Sequence, residues 1–324
     1  MKSKSTIVQV AKRIGVAPST VSRAFTDPGK LKPETVQRVM DAAAEVGYVP
    51  NHHARALITG RSGAIGLVLP DVANPFFPPL IRYAQLAAED YGLAVFVADT
   101  AEDTKRELQM IERLSPQVEG LIIASSRLSD RVLQTIAERQ PTVLINRDVA
   151  GVPRVLISTS KALVEGLHYL VEAGHTRIAY VGGPARSWSD AQRHGCVQST
   201  LDSLGLEPYF FQAKSGNYAD ALEVSGEVEA AGATAVIAFD DVVAHGLMSG
   251  FRAHGVRVPE DINVLGCDDT LAITTHPPLS SISLDLASAA RSAVSILRSA
   301  GRPGASSDQR FELEGSLVLR GTTN

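Results

Sequence analysis

The sequence predicts an α/β protein: an all-α N-terminal helix-turn-helix head, then a two-lobed domain of doubly wound parallel sheets. Two observations carry this expectation. The first fifty residues hold only short amphipathic helices punctuated by Gly15, Asp27-Pro28-Gly29 and Gly47. From Ala64 onward, short apolar runs alternate with amphipathic helical stretches, the pattern of βαβ units. With 324 residues the chain is too long for one ordinary core, and its 44% apolar content is enough for several.

In the head, Ile7, Val10, Ala11 and Ile14 follow helical spacing, and Gly15 stops that helix. Pro18 opens a second helix, about Pro18–Phe25, where its missing N–H is not needed. It buries Val21 and Ala24 or Phe25. Pro33–Val46 forms a third helix with Val36, Val39, Met40, Ala43 and Val46 on one face. Residues 51–59 suffice for two helical turns, a length unstable alone in water. Strands are expected at Ile65–Leu69, Ala94–Ala98, Gly120–Ala124, Thr142–Asn146, Val155–Ile157, Ile178–Val181, Ala235–Phe239 and Ile262–Gly266, with helices between them. Eight such units imply two sheets with a cleft between them, and ligands of such sheets sit outside the carboxyl ends of the strands.

Charge is unevenly placed. Residues 1–62 hold ten Lys/Arg against four Asp/Glu, a net +6, which leaves −10 for the rest of a chain of net charge −4. A basic head on an acidic body points to an anionic partner for the head alone. No run of about 18 apolar residues is present, so no transmembrane helix is expected. The N-terminus lacks the apolar core of a signal peptide, so a cytoplasmic location is expected. Cys196 and Cys267 make neither a disulfide framework nor a metal knuckle, and are read as reduced thiols. His52, His53 and His194 have no metal-ligand spacing, and no metal or cofactor is expected.

A helix, a glycine turn and a second helix near a basic terminus make a helix-turn-helix candidate, whose second helix enters the major groove. Residues near its start reach base edges: here Pro18, Ser19 and, one turn on, Arg23. An arginine can pair bidentately with guanine, whereas Pro18 offers only an apolar surface.

These residues carry a resemblance. TIVQVAKRIGVAPSTVSRAF (6–25) resembles the helix-turn-helix of the lactose-repressor (LacI/GalR) family. The resemblance continues through GYVPNHHARALITGR (47–61), IGLVLPDVANPFF (65–77), EAGHTRIAYVGG (172–183), VPEDINVLGCDDT (258–270) and LVLRGTT (317–323), and so covers essentially the whole chain. It implies a transcriptional regulator, most often a repressor, that binds a pseudo-palindromic operator as a homodimer. It divides the chain into a DNA-binding head (1–50), a hinge helix and linker (51–62) and an effector and dimerisation domain (63–324). That domain has a periplasmic-binding-protein-like fold: lobe one holds about 63–158 with 286–324, and lobe two about 161–283.

The resemblance assigns DNA contact to Thr6, Pro18, Ser19, Thr20, Ser22, Arg23 and Lys30. In the hinge it assigns Asn51, Ala54, Arg55 and Leu57, with Leu57 as a wedge in the minor groove, an insertion that exchanges unstacking energy for a bent duplex. It places Asn74, Phe76, Phe77, Asn146, Arg147, Trp188, Arg193, Asp240 and Asp268 around a small effector. Such a set suits a sugar or other polyol, since aromatic faces stack on C–H surfaces while carboxylates, amides and arginines hold hydroxyls; a purine is the alternative. Asp241 and Asp269 are read as helix caps. Cys196 stands where the family usually has glycine, and Ala17 where it usually has serine. No apolar heptad tail follows residue 317, so the resemblance implies a dimer.

Two other classes are weaker. An enzyme would be expected to show G-x-G-x-x-G after the first strand, a Walker loop or a G-x-S-x-G elbow, and none is present. A free-standing sugar-binding protein that feeds a transporter would have no need of the basic helical head.

Overall fold

The computed structural model describes residues 6–48, 62–300 and 307–324. The hinge residues Asn51, Ala54, Arg55 and Leu57 lie outside them. The chain forms two compact units, one up to Gly63 and one from Ala64.

In the first unit, α1 spans Ile7–Ile14, α2 Pro18–Thr26 and α3 Pro33–Glu45. Thr6 starts α1 through a capping box: its hydroxyl accepts from Gln9 N, and the Gln9 side chain accepts from Thr6 N at 2.9 Å. Gly15 follows at φ 72°, the left-handed conformation that lets the chain turn toward α2. α2 begins on Pro18 with no side-chain cap, as Ala17 requires. Val10, Ala11, Val21, Ala24, Val39, Ala42 and Ala43 form the core of this unit. The buried face of α3 thus includes Ala42, while Val36, Met40 and Val46 are only half-buried.

The second unit alternates strands and helices: β1 Ala64–Leu69, α4 Phe77–Glu89, β2 Ala94–Asp99, α5 Thr104–Leu114, β3 Leu121–Ala124, α6 Asp130–Arg139, β4 Thr142–Ile145 and β5 Arg154–Ser158. After a crossover come α7 Ser160–Glu172, β6 Ile178–Gly182, α8 Trp188–Ser203, β7 Tyr209–Gln212, α9 Tyr218–Ala230, β8 Ala235–Ala238, α10 Asp241–Ala253, β9 Asn263–Asp268 and β10 Ser280–Ser283. The chain then returns through α11 Leu286–Ser299, β11 Arg310–Glu314 and β12 Ser316–Val318.

The strands form two six-stranded sheets of matching order, β11-β5-β4-β3-β1-β2 and β12-β10-β9-β8-β6-β7. All pairings are parallel except β10 with β12. Helices cover both faces of each sheet. α4 and α11 pack on one side of the first and α5 and α6 on the other, while α9 and α10 are opposed to α7 and α8 on the second. Burial on both faces explains the continuous apolar runs of the inner strands, such as AIGLVL in β1.

One expected boundary needs correction. Residues 286–324 do not all remain with lobe one. β11 extends the first sheet beside β5, but β12 pairs antiparallel with β10 in the second, and Val264 N donates to Thr322 O at 2.9 Å. Leu317 packs against the core under α7.

The close packing of α10 on α9 bears on the site. A Cβ at Gly246 in α10 would lie 2.4 Å from the carbonyl oxygen of Tyr218 and 2.6 Å from Ala221 Cβ in α9. Backbone cannot yield there, so Gly246→Ala is expected to destabilise this unit by about 1–3 kcal/mol despite the better helix propensity of alanine. Denaturant unfolding measures this. An unchanged midpoint would show that α9 can move away freely.

Candidate functional site

The carboxyl ends of the two sheets face one cleft, a cavity of about 430 Å³. Asn74, Phe76 and Phe77 reach it from the turn after β1, and Asn146 from the end of β4. Arg193 enters from α8, Asp240 from the end of β8 and Asp268 from the end of β9. Seven of the nine residues assigned to the effector therefore converge on a single space.

The loop geometry follows from the polar side chains. Asn74 Oδ1 accepts from Phe76 N at 2.9 Å, which shapes the turn into α4. Its Nδ2 donates across the cleft to Asp240 Oδ2 at 3.0 Å, so the amide links the two lobes directly. Phe76 and Phe77 meet edge to face at 5.0 Å between centroids. Both are buried in the core of the first sheet while also lining the cleft. Asn146 sits at φ 50°, and its Oδ1 accepts from Ile157 N at 2.9 Å, which fastens the end of β4 to β5.

Lobe two supplies the charge. Arg193 is 5% exposed. It donates to the carbonyl of Phe239 and, at 3.3 Å, to Asp268 Oδ1, and its guanidinium lies 4.9 Å from the Phe239 ring centroid. Its Nε has no hydrogen-bond partner among the described residues. Asp240 caps α10 by accepting from Val243 N at 2.8 Å. Burial, reinforced by the charge of Asp268, pushes its carboxyl up to about 7. Burial likewise raises Asp268, while Arg193 opposes the shift.

The neighbouring acids have roles other than the expected ones. The cap of α10 is Asp240, not Asp241. Asp241 is buried and staples the loop after β9 to β10, accepting from Thr270 N at 2.8 Å, Leu271 N at 3.0 Å and Ser281 Oγ at 2.7 Å. Burial raises its carboxyl to about 6. Asp269 pairs with Arg320 at 2.8 Å, so it ties in the C-terminal segment and caps no helix.

Two residues assigned to the effector do not line the cleft. Arg147 follows Asn146, whose left-handed turn points the next side chain outward, and it pairs with Asp130 at 2.6 Å. Trp188 opens α8 and lines an adjoining recess of about 90 Å³ with Asp148, Ser160 and Arg310, which shares Ser189 and Arg193 with the cleft. In Arg147's stead the cleft contains Arg127, from the loop after β3, held by Glu102 through contacts of 2.6 and 2.9 Å. Its place just past a strand's carboxyl end was the available signal. Tyr218 and His245 also line the cavity, from the start of α9 and from α10.

In the head, Thr6, Pro18, Ser19, Ser22 and Arg23 are exposed, and Thr20 is half-buried. Lys30 is exposed and pairs with Asp27 at 2.7 Å. No helix among the described residues is long and apolar enough to cross a membrane.

Comparison with known proteins agrees with this architecture. Residues 6–51 match the family model of bacterial regulatory proteins of the lacI family, and residues 167–323 match that of the periplasmic binding protein-like domain. The HTH-type transcriptional regulator DegA of Bacillus subtilis is 30% identical over 332 residues, covering 99% of this chain and 98% of its own. A crystal structure of the lac repressor dimer bound to operator and the anti-inducer ONPF superposes with a TM-score of 0.87 at 26% identity, over 99% of both chains. A LacI family transcriptional regulator from Arthrobacter sp. FB24, in complex with lactose, gives 0.70 at 29% identity, over 81% of this chain and 99% of its own. A helix-turn-helix head and a two-lobed binding domain, together with a full-length relative at this identity, place the chain in the LacI family of bacterial transcriptional regulators.

Proposed function

We propose that this protein represses transcription by binding a pseudo-palindromic operator as a homodimer in the cytoplasm, and that a small sugar-like effector in the cleft changes its operator affinity without being chemically altered. The observation that carries the reading is the convergence of Asn74, Asn146, Arg193, Asp240 and Asp268 on one cavity with the paired rings of Phe76 and Phe77. Amides, a guanidinium and carboxylates beside apolar surface are the groups that hold a polyhydroxylated ring. The related lac repressor was crystallised with operator and an anti-inducer, and the Arthrobacter regulator with lactose, so both ligand types occur among similar proteins.

On the DNA side, the exposed start of α2 meets base edges through Ser19 and Arg23, with Pro18 giving apolar contact. Thr6, Thr20, Ser22 and Lys30 position the head on the backbone. The hinge residues Asn51, Ala54, Arg55 and Leu57 complete the contact in the minor groove. Coupling follows from differential binding: an effector that favours one angle between the lobes biases whatever arrangement of the two heads that angle permits, and operator must then alter effector affinity by the same factor.

Selection from pooled random duplex DNA with the full-length protein tests this. Enrichment of an inverted repeat is expected, with occupancy changed by one member of a sugar panel. Arg23→Ala is expected to relax preference at one base pair per half-site, a loss of about 1–3 kcal/mol of discrimination. If no duplex is enriched at moderate salt, with or without the panel, the regulator reading fails for this chain.

A further inference from the structure

The cleft holds one more buried negative charge than its cations balance. Arg127 is engaged by Glu102, and Arg193 turns to Asp268. Asp240 is 1% exposed, yet its two oxygens accept only from neutral donors, Val243 N and Asn74 Nδ2. Among the described residues no cationic nitrogen lies within ion-pair distance of it. The other charged or titratable groups nearby do not balance it. Arg193 favours the Asp240 carboxylate through its field but makes its ion pair with Asp268; Asp268 adds negative charge from β9, Asp241 is turned to the loop after β9, and Asp71 lies at the cleft wall. His245, on α10, has its pKa lowered by burial, which disfavours its charged form. An ionised carboxylate in such a place is costly unless a proton or a cation joins it.

A second observation points to a ligand. Arg193 is almost wholly buried and lines the cavity, but its Nε donates to nothing among the described residues. The cleft therefore presents an unused donor together with an acceptor that lacks its cation.

We propose that the effector is a polyol carrying a protonated amine, an amino sugar in the simplest case, with its ammonium on the Asp240 carboxylate and an oxygen accepting from Arg193 Nε. The proposal rests on the reading of the cleft as a sugar site and narrows the class of sugar. Acidic sugars are disfavoured by the same excess charge. Near neutral pH Asp240 carries a proton part of the time. Binding replaces it: the neutral carboxyl and the ammonium give a carboxylate–ammonium pair and one proton released to solvent. No covalent bond to carbon changes and nothing is oxidised or reduced.

Titration calorimetry of the full-length protein tests this, using glucose, galactose and mannose beside their 2-amino-2-deoxy counterparts. It is run at pH 6.5 in two buffers of different ionisation heat, with wild type and Asp240→Asn. Asparagine caps helices as well as aspartate, so the variant keeps the start of α10, and an unchanged circular dichroism spectrum confirms folding. The expected result is that one amino sugar binds at least about tenfold tighter than its hydroxyl partner, with proton release, and that Asp240→Asn abolishes both. Equal or tighter binding of the hydroxyl partner, or an amine preference that survives in Asp240→Asn, overturns the proposal and leaves the sugar-effector reading standing. If no member of either series binds, that reading and the proposal fall together.

Discussion

Replacing Arg193 with alanine is expected to lower the unfolding free energy of the Ala64–Asn324 unit by about 3–5 kcal/mol, the range for removing one partner of a buried ion pair. The change strips from Asp268 its only ion-pair partner among the described residues and leaves the Phe239 carbonyl without its guanidinium donor. Two buried carboxylates, Asp240 and Asp268, then face each other's field with only neutral donors, such as Val243 N and Asn74 Nδ2 at Asp240, to offset it. Denaturant unfolding followed by tryptophan fluorescence reads this directly, because Trp188 is the single tryptophan and opens the helix that carries Arg193. The loss should be smaller at pH 5 than at pH 8, since protonation removes the repulsion. A loss below about 1 kcal/mol at pH 8 would mean that water enters the cleft and solvates both acids in place of the guanidinium.

The second large effect is in the pH dependence of stability. Asp240 has a carboxyl raised to about 7 from an ordinary 3.8. The folded chain thus binds its proton more tightly than the unfolded chain. That contribution is full below the unfolded value and disappears as pH rises through the folded one. Relative to Asp240→Asn, the wild type should therefore lose on the order of 2–3 kcal/mol of stability between pH 5 and pH 8. Taking the difference between the two proteins matters. Burial lowers the pKa of His175 and His245, which adds stability as pH rises and opposes the trend in either protein alone. Parallel unfolding curves across that range would mean that Asp240 is ionised in the folded state and stabilised by contacts other than those described.

The inner strands were legible because both their faces are covered, which demands apolar runs. The four strands that escaped sequence reading are short, polar or at sheet edges, each for an identifiable reason. β11, RFELE, is largely exposed at the edge of its sheet, and β7, YFFQ, is half-buried at the edge of the other. β10, SSIS, is buried but polar, because its hydroxyls have partners: Ser280 meets Thr323 at 2.7 Å and Ser281 donates to Asp241 at 2.7 Å. Three-residue β12 is too short to show a period. In the cleft, residues at strand ends such as Asp240, Asp268 and Asn146 could be found by position. Arg147 could not be placed by position alone, because the left-handed conformation of Asn146 decides which of the two neighbours faces inward. Arg127 was missed although it lies just past the carboxyl end of β3, because its loop has no motif; Glu102 and the Ser125 carbonyl hold its guanidinium at the cavity.

The segment between Glu314 and Ser316 passes from one sheet to the other through Gly315 alone, whose N–H donates to Ser158 O at 2.8 Å beside an earlier crossover. During synthesis each sheet accordingly waits for an edge strand from the last part of the chain to emerge. Neither lobe can finish as an autonomous vectorial unit, and the two are completed together within a few residues of translation. Pairings of this kind join positions far apart in sequence, β11 with β5 and β12 with β10. Because the loop-closure cost of such non-local pairs is met before their contacts form, both edge pairings are expected among the later steps of folding. Until those steps, the open edges of both sheets are available to chaperones and to neighbouring nascent chains alike.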